Sequence, residues 1–331
     1  MKCDFINQSL RRFAGLIMSG LLLGLGLGTA AAQDFPNRPV RIVVPFGPGG
    51  VGDLTARVVA ARLSELWGTG VVIENRPGAG GISAADTVIK SKPDGHTLFL
   101  MSNGTAVTEA VFQKLPFNSV QDFIPISTLG YFDIAVVVPE ASPHKTFRDL
   151  VAFAKANPGK LNVGSINIGS TQNLAAELFK SSAGIDVQIV PYNGTPALLT
   201  AIRGGQIDVV VEVLGPVLSQ VQAKAVRVLA VSGERRSIVL PDVPTARESG
   251  VPGFIASSWN GLAAPAKTPA ALIERLNRDI ATALETPEVK KKLQELNVEA
   301  RASTPQQTAQ LLVSDIKRWS DVVRSANIPR Q

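Results

Sequence analysis

A short apolar strand, a glycine-rich turn and an acidic residue follow one another over residues 40–53 (VRIVVPFGPGGVGD). Glycines at such a junction let the backbone approach a ligand closely, and the first N–H groups of the following helix carry partial positive charge. The turn therefore predicts an anion-binding site that needs no cationic side chain. Its candidate ligand-binding residues are Phe46, Gly47, Pro48, Gly49, Gly50 and Asp53.

The same turn also has the spacing of a dinucleotide-binding fingerprint. Gly47, Gly49 and Gly52 form GxGxxG between a strand and a helix, and Glu74 stands at the end of the next strand. Against this interpretation, Pro48 stiffens the loop, Asp53 would place a carboxylate near a pyrophosphate, and exported proteins seldom meet free NAD. A dinucleotide-binding oxidoreductase stays an alternative, as does a turn that needs glycine for its geometry alone.

Similar glycine-containing or polar stretches follow the other predicted strands. The carboxyl ends of parallel strands meet along one edge of a sheet, where α/β proteins collect their ligand sites. Hydroxyl groups in these stretches can donate to a ligand, and capping a helix is the alternative role for the same groups. The further candidate ligand-binding residues in these stretches are Gly80, Gly81, Ser102, Asn103, Gly169, Ser170, Thr171, Tyr192, Asn193 and Thr195. Asp208, at the start of a predicted strand, is one more candidate.

Residues able to perform catalysis are few. The two histidines, His96 and His144, follow a turn and a proline, and no GxSxG, HExxH or paired-histidine spacing occurs in the sequence. Glu212 is expected to lie in the cleft or at the surface. We therefore predict no catalytic residue, no metal ligand and no cofactor. An exported enzyme that uses the same cleft stays an alternative.

Residues 1–32 have the pattern of a secretory signal peptide. Basic residues precede the apolar run 13–27, and the small residues 29–32 form an Ala-x-Ala-like cleavage site before Gln33. A membrane anchor is the alternative, but this apolar run is short and rich in glycine. The single cysteine of the sequence, Cys3, lies inside this segment, so no disulfide is expected in the exported protein. The predicted location is the periplasm.

The remaining chain is long enough for two domains. Hydrophobic residues make up 45% of the sequence, and its formal net charge of +6 is too small and too evenly spread to indicate nucleic-acid binding. Short apolar strands alternate with amphipathic helices, which predicts parallel sheets covered on both faces. Two long segments, Phe123–Pro139 and residues 254–265, are predicted to cross between two α/β lobes. The predicted lobe 1 comprises residues 33–138 and 253–331, and the predicted lobe 2 comprises residues 139–252.

Several helices have recognisable start signals. Thr146 with Asp149, and Thr304 with Gln307, have the spacing of a capping box. Thr-Pro pairs at residues 268–269, 286–287 and 304–305 each predict a capping hydroxyl followed by proline at the first helical position.

Over its whole mature length the chain resembles the substrate-binding proteins of tripartite tricarboxylate transporters, the Bug-type (TctC-like) receptors. The order and spacing of the matching stretches are specific, although no single stretch is decisive. These are Pro45-Phe46, Pro48-Gly49-Gly50, Asp53 and Ala56-Arg57, then NRPGAGG (75–81), PDG (93–95), LPF (115–117), DFIPI (122–126), PYNG (191–194), Gly205 with Asp208, and WNGLAAP (259–265) followed by Thr268-Pro269.

The resemblance implies an α/β, type II periplasmic binding protein fold with a ligand cleft between two lobes. It implies that loops 46–50 with Asp53, and 169–171, hold one carboxylate of a small organic acid, which is delivered to transporter subunits in the inner membrane. Asn173 stands where the family often has histidine, and Asn193 where it often has lysine. The missing lysine weakens the expectation of a second ligand anion. We expect a monomer, and a receptor that signals to a membrane sensor is left open.

Overall fold

The computed structural model describes residues 35–331, so the predicted signal peptide lies outside the described residues. Within them, strands and helices alternate over most of the chain, as the sequence predicts. The strands are β1 (Val40–Val44), β2 (Val71–Asn75), β3 (Thr97–Ser102), β4 (Phe123–Pro139), β5 (Asn162–Ile166), β6 (Gln188–Tyr192), β7 (Val209–Val213), β8 (Val226–Val231), β9 (Ser257–Pro265) and β10 (Glu299–Ala300).

The helices cover the sheets and end in a long C-terminal segment. A single 3₁₀ turn at Ala79–Gly81 follows β2. The α-helices are α1 (Val51–Trp67), α2 (Ile82–Ile89), α3 (Asn103–Val111), α4 (Phe147–Ala156), α5 (Thr171–Ala183), α6 (Thr195–Arg203), α7 (Leu214–Gln222), α8 (Ala270–Glu285), α9 (Pro287–Glu295) and α10 (Pro305–Ser325).

Two sets of three parallel strands form the centres of the two halves of the molecule. In the first, β1 lies between β2 and β3, and in the second, β5 lies between β6 and β7. The strands β1, β3 and β7 are almost completely buried, as expected for strands covered by helices on both faces. Each half therefore repeats the same β-loop-α arrangement.

The long strand β4 joins these two halves. Its first part, through Asp133, pairs with β9, and its second part, from Ile134, pairs with β7 and β8. The strand β9 also pairs with β3, so the continuous path of the sheet runs β2-β1-β3-β9-β4-β7-β5-β6. All pairings of β9 and β4 are antiparallel. The prediction of parallel pairing is thus correct for the two triplets, whereas the crossing strands, for which no pairing was predicted, are antiparallel.

Local start signals were predicted with mixed success. Thr146 and Thr304 form the predicted capping boxes. Thr286 makes no side-chain cap, and the Thr268 hydroxyl donates to the Pro265 carbonyl while Pro269 caps α8, so these two capping predictions are wrong. The predicted crossing at residues 254–265 becomes a strand only at Ser257.

The helix α3 was not predicted from the sequence. Ser102 ends β3 and at once caps α3, because its side chain accepts the Gly104 N–H and its own backbone N–H donates to the Thr105 hydroxyl oxygen. None of the helices within residues 35–331 has the length and apolar character needed to cross a bilayer.

Candidate functional site

A cavity lies at the carboxyl ends of strands from both halves of the sheet. It contains about 460 Å³ of unfilled space, part of it open to solvent. The lining residues come from the loops after β1, β3, β5 and β6 and from the crossing strands. They are Phe46, Gly47, Gly50, Val51, Gly52, Ser102, Phe132, Ile166, Asn167, Thr171, Gln172, Gly194, Thr195, Ser258 and Asn260.

Three helices begin at the wall of this cavity. Val51 and Gly52 open α1, Thr171 and Gln172 open α5, and Thr195 opens α6. Neither α1 nor α6 has a side-chain cap, so the N–H groups of their first turns meet no capping oxygen. Each helix N-terminus carries roughly half a positive charge. Their convergence makes the cavity attractive to an anion.

The cavity wall itself is uncharged. Among the residues that the structure describes, none of the fifteen that line the cavity is Asp, Glu, Lys, Arg or His. Backbone N–H groups, hydroxyls and amides are therefore the polar groups available to a ligand. Such neutral donors hold an anion less tightly than a bidentate arginine would.

Asp53 organises the loop before α1. Its buried carboxylate accepts hydrogen bonds from the Gly49 N–H (2.9 Å), Arg57 Nε (3.0 Å) and Asn75 Nδ2 (2.9 Å). Burial would raise the pKa of Asp53, but the hydrogen bonds from Arg57, Gly49 and Asn75 outweigh burial and lower it below the ordinary value. Asp53 does not line the cavity, so its role here is to position the glycine loop.

The Phe46 ring packs against the first turns of α1 and α3, where the contacting residues, Gly52 and Gly104, have no side chain. A Cβ atom at Gly52 would stand 2.9 Å from the Phe46 ring and 3.1 Å from Leu100, and a Cβ at Gly104 would stand 3.4 Å from the Phe46 ring. Glycine is thus required at position 52, because a larger residue would collide with the Phe46 ring and with Leu100. The GxGxxG spacing reflects this packing as well as the turn.

The wall contributed by α5 and α6 rests on a buried acid. Glu212, which has no exposed surface, accepts hydrogen bonds from Gln172 Nε2 (2.7 Å), Thr195 Oγ1 (2.9 Å) and the Val213 N–H (2.7 Å). Burial raises the pKa of Glu212 despite these donors. The expectation that Glu212 lies in the cleft or at the surface is wrong. Instead, this residue fixes two side chains of the cavity wall from behind.

A second buried network ties α10 to the cavity. Asn103 donates to Asp315 Oδ2 (2.7 Å), and its own oxygen accepts from Thr171 (3.0 Å) and Trp319 (2.9 Å). Trp259 donates to the same Asp315 oxygen (2.8 Å). Since both polar atoms of the Asn103 side chain are occupied, this residue supports the start of α5 from outside the cavity lining.

Glycine residues let the loops of the two halves touch beside the cavity. Gly169 has a φ of +84°, and a Cβ atom there would stand 3.0 Å from both Cα and N of Gly80. The Gly80 N–H donates to the Ile168 carbonyl (3.2 Å), and Thr108 donates to the Gly169 carbonyl (3.2 Å). We refer to these contacts of residues 80 and 108 with residues 168 and 169 as the glycine seam.

Asn260 is a lining residue whose buried side-chain nitrogen lacks a hydrogen-bond partner among the described residues. Only 1% of Asn260 is exposed. It pairs through its backbone with Ser102 on β3. Ser258, two residues earlier on β9, lines the same cavity, whereas Trp259 between them donates to Asp315. This alternation is that of a strand with one face toward the cavity.

The structure brings six of the predicted site residues to the cavity: Phe46, Gly47, Gly50, Ser102, Thr171 and Thr195. Their contact with a ligand stays a prediction. Others lie next to the lining, in the loop of Asp53, in the glycine seam or in the Asn103 network. Gly81 packs on Pro45, and Gly49 faces Pro196. The side chains of Pro48 and Asn193 are exposed. Ser170 caps α5 by accepting the Asn173 N–H (3.1 Å), and Tyr192 packs on the core of the second half.

Asp208 is placed away from the cavity. It is exposed and accepts the Asn162 N–H (2.8 Å) at the amino ends of β5 and β7, whereas the cavity lies at the carboxyl ends. Asp208, a predicted ligand-binding residue, thus lies at the opposite end of its strand from the cavity.

Sequence reasoning missed nine residues of the cavity lining, which lie in strands, in the first turns of helices and in two loops. These are Val51, Gly52, Phe132, Ile166, Asn167, Gln172, Gly194, Ser258 and Asn260. Two signals were present. The polar residues Ser258 and Asn260 alternate with Trp259 at strand period, and Glu212 interrupts an otherwise apolar strand.

The alternative functions find little support in this geometry. Glu74, the acid of the dinucleotide fingerprint, forms ion pairs with Arg41 and Arg76, and the Asp53 carboxylate is bonded to Gly49, Arg57 and Asn75. His96 and His144 do not line the cavity. No group of three or more His, Cys, Asp or Glu residues suited to a metal ion occurs within residues 35–331.

Two α/β halves with an anion-attracting cavity between them define the class of type II periplasmic solute-binding proteins. Residues 55–328 match the family described as the tripartite tricarboxylate transporter family receptor (TctC). The chain belongs to this family of periplasmic receptors.

Individual relatives agree with the family assignment. The chain is 33% identical to protein BugT of Bordetella pertussis over 311 residues, which cover 92% of this chain and 95% of BugT. Among solved structures, it is similar to MatC of Rhodopseudomonas palustris with bound malate (TM-score 0.83, 33% identity, 87% of this chain and 100% of MatC). It is also similar to Rpa4515 of R. palustris with adipate (TM-score 0.86, 33% identity, 90% of this chain and 100% of Rpa4515).

Proposed function

We propose that this protein captures a small organic carboxylate by closing its two lobes around it, and delivers it to membrane subunits of a tripartite tricarboxylate-type transporter. The observation that carries the proposal is the convergence of three helix N-termini on an uncharged, partly enclosed cavity. Such a site stabilises one carboxylate through backbone and hydroxyl donors. The protein acts as a monomer in the periplasm after removal of residues 1–32, without catalysis and without a cofactor.

In this proposal, lobe 1 comprises residues 33–138 and 253–331, and lobe 2 comprises residues 139–252. Both crossing strands, β4 and β9, lie between them, so rotation about these strands would open the cavity. The relatives with bound malate and adipate support a carboxylate as ligand, because both compounds are small organic acids. Neutral donors suit a receptor that has to release its ligand again.

Ligand binding can be tested with protein that begins at Gln33. We expect some mono-, di- or tricarboxylate to raise the melting temperature, because a ligand that binds only the folded state stabilises it by mass action. Isothermal titration then measures the affinity, and the methyl ester of the same acid serves as the uncharged control. The ligand class is refuted when a broad carboxylate panel and the co-purified small molecules both yield no binder.

A pair of glycine variants tests whether the described cavity is the site. A Cβ at Gly50 would stand 3.3 Å from Thr195 Oγ1, whereas a Cβ at Gly70 meets nothing within 4 Å. We expect Gly50→Ala to lower carboxylate affinity about tenfold or more, since a misplaced methyl group in a binding site typically costs that much. Gly70→Ala should bind like the parent protein. Equal affinities for both variants would place the site elsewhere.

The dinucleotide alternative is tested in the same preparation. Titration with NADH, followed by its fluorescence, should show no saturable binding. Saturable binding in the micromolar range would replace the receptor function by an oxidoreductase that uses this cleft.

Delivery to a transporter, rather than signalling to a membrane sensor, is tested by loss of ligand uptake in cells that lack the receptor.

A further inference from the structure

The unpartnered amide of Asn260 is an unusual feature of the cavity. Leaving a buried N–H group without a hydrogen bond costs about 1–3 kcal/mol. Asn260 is 99% buried, its side-chain nitrogen has no partner among the described residues, and the residue lines the cavity. A ligand group that accepts a hydrogen bond at this place would remove that cost.

The charge around the cavity limits what this ligand group can be. The partial charges of the three helix N-termini sum to roughly one to two positive charges. This is enough to balance one carboxylate. The described lining holds no cationic side chain, and Glu212, which lies behind it, is an acid bonded to Gln172 and Thr195. Glu212 adds no positive charge in either protonation state. A second carboxylate would therefore be buried without a counter-charge, which is costly.

We propose that Asn260 is a specificity-determining residue that donates a hydrogen bond to an uncharged acceptor on the ligand. The receptor then prefers monocarboxylates with a second, neutral polar group, such as a carboxamide, over dicarboxylates of the same length. This inference rests on the proposed carboxylate-binding function and names the ligand class within it. In this preference the chain differs from the similar structures with malate and adipate, whose ligands carry two carboxyl groups.

Matched ligand pairs test the charge preference. The probes are succinate and succinamate, glutarate and glutaramate, and adipate and adipamate, with butyrate as a monocarboxylate that lacks the second polar group. Each pair has the same length and differs in whether one end is a carboxylate or a carboxamide. By isothermal titration at pH 7.5 we expect one monoamide to bind at least tenfold more tightly than its dicarboxylate and more tightly than butyrate.

The variant Asn260→Leu tests the residue itself. It keeps the approximate side-chain shape and removes the donor, so the affinity for the preferred monoamide should fall about tenfold while that for butyrate changes little. Because no hydrogen bond of the ligand-free protein is lost, its melting temperature should stay the same or rise. The control is Asn277→Leu, whose amide donates to the carbonyls of Ile126 and Ser303. That variant should melt at a lower temperature and bind the monoamide normally.

The possible outcomes separate this inference from the function on which it rests. Equal or tighter binding of the dicarboxylates, or unchanged monoamide affinity in Asn260→Leu, overturns the inference and leaves the carboxylate receptor intact. A lower melting temperature of ligand-free Asn260→Leu also contradicts it, because the amide would then have a structural role. If no dicarboxylate, monoamide or monocarboxylate binds, the proposed function fails together with the inference.

Discussion

Asp53 links the binding loop to the helix that follows it, since one carboxylate holds Gly49, Arg57 and Asn75. Asp53→Asn removes the charge and at least one acceptor, so we expect about 1–3 kcal/mol less stability near neutral pH and weaker carboxylate binding. Because hydrogen bonds lower the pKa of Asp53 below its ordinary value of 3.8, its contribution is present above pH 3.8 and is lost as the pH falls through the lower, folded-state pKa. Denaturant unfolding from pH 7 to pH 2.5 measures this. A difference between parent and variant that persists unchanged at the acid end would contradict the assignment.

Glu212 has the opposite pH dependence. Burial raises its pKa above the ordinary value of 4.5, so its favourable contribution is complete below pH 4.5 and is lost as the pH rises through the folded-state pKa. In Glu212→Gln the amide oxygen can accept from Gln172 and the Val213 N–H, while the amide nitrogen donates to the Thr195 hydroxyl.

The neutral variant should therefore gain stability relative to the parent protein as the pH rises above 4.5. Unfolding free energies measured between pH 4 and pH 8 test this expectation. Parallel profiles for the two proteins would show that Glu212 does not change its protonation on unfolding in this range.

The sequence allowed the glycine loop to be predicted because the signal is local: strand, turn and helix start are adjacent in residues 40–53. Ser102, Thr171 and Thr195 were found for the same reason. Asn260 and Gln172 were not, because their place at the cavity depends on which strands lie side by side. No local pattern states that β9 pairs with β3, and this pairing alone puts Asn260 opposite Ser102.

At the level of elements, the start of α5 depends on close backbone contact. Both Gly169 and Gly184 flank this helix with positive φ, and a Cβ at Gly169 would meet the Gly80 backbone at 3.0 Å while a Cβ at Gly184 meets nothing. Alanine at either position costs about 1–2 kcal/mol for the left-handed backbone. We expect Gly169→Ala also to weaken carboxylate binding, since the glycine seam cannot form as closely, whereas Gly184→Ala lowers only stability. Equal affinities, measured by titration, would mean that the seam does not contribute to the bound state.

Element types were more predictable than element pairing. The apolar strands β1, β3 and β8 and the capped helices α4 and α10 follow from hydrophobic pattern and capping signals. The antiparallel pairing of β4 and β9 does not follow from such local signals, because it arises when the chain returns from the second half to the first. The helix α3 was missed since Ser102 serves at once as the end of a strand and as a cap.

At the scale of the whole molecule, the glycine seam is a contact between the proposed lobes. The hydrogen bonds Gly80 N–H to Ile168 O and Thr108 to Gly169 O, with the Asn103 to Thr171 contact, are all between neutral groups. Each is worth roughly 1 kcal/mol net. Their sum is comparable to the free energy that a bound ligand contributes at concentrations well above its dissociation constant. We therefore expect ligand binding to decide whether the proposed lobes are closed.

Closure is measurable across the groove that α6 and α9 share. Thr200 and Glu295 are exposed on its two sides, one in each proposed lobe, and Lys160 is exposed in the same proposed lobe as Thr200. Since the only cysteine, Cys3, precedes Gln33, protein beginning at Gln33 accepts spin labels only at introduced cysteines.

With Thr200→Cys and Glu295→Cys labelled, we expect a broad distance distribution without ligand and a shorter, narrower one with a saturating carboxylate, measured by double electron–electron resonance. The control pair Thr200→Cys with Lys160→Cys should give the same distances in both states, because both labels move with one lobe. A cross-groove distance that stays unchanged while titration shows binding would mean that the ligand enters a cavity whose walls do not move. The crossing strands β4 and β9 would then act as rigid connections rather than as a hinge.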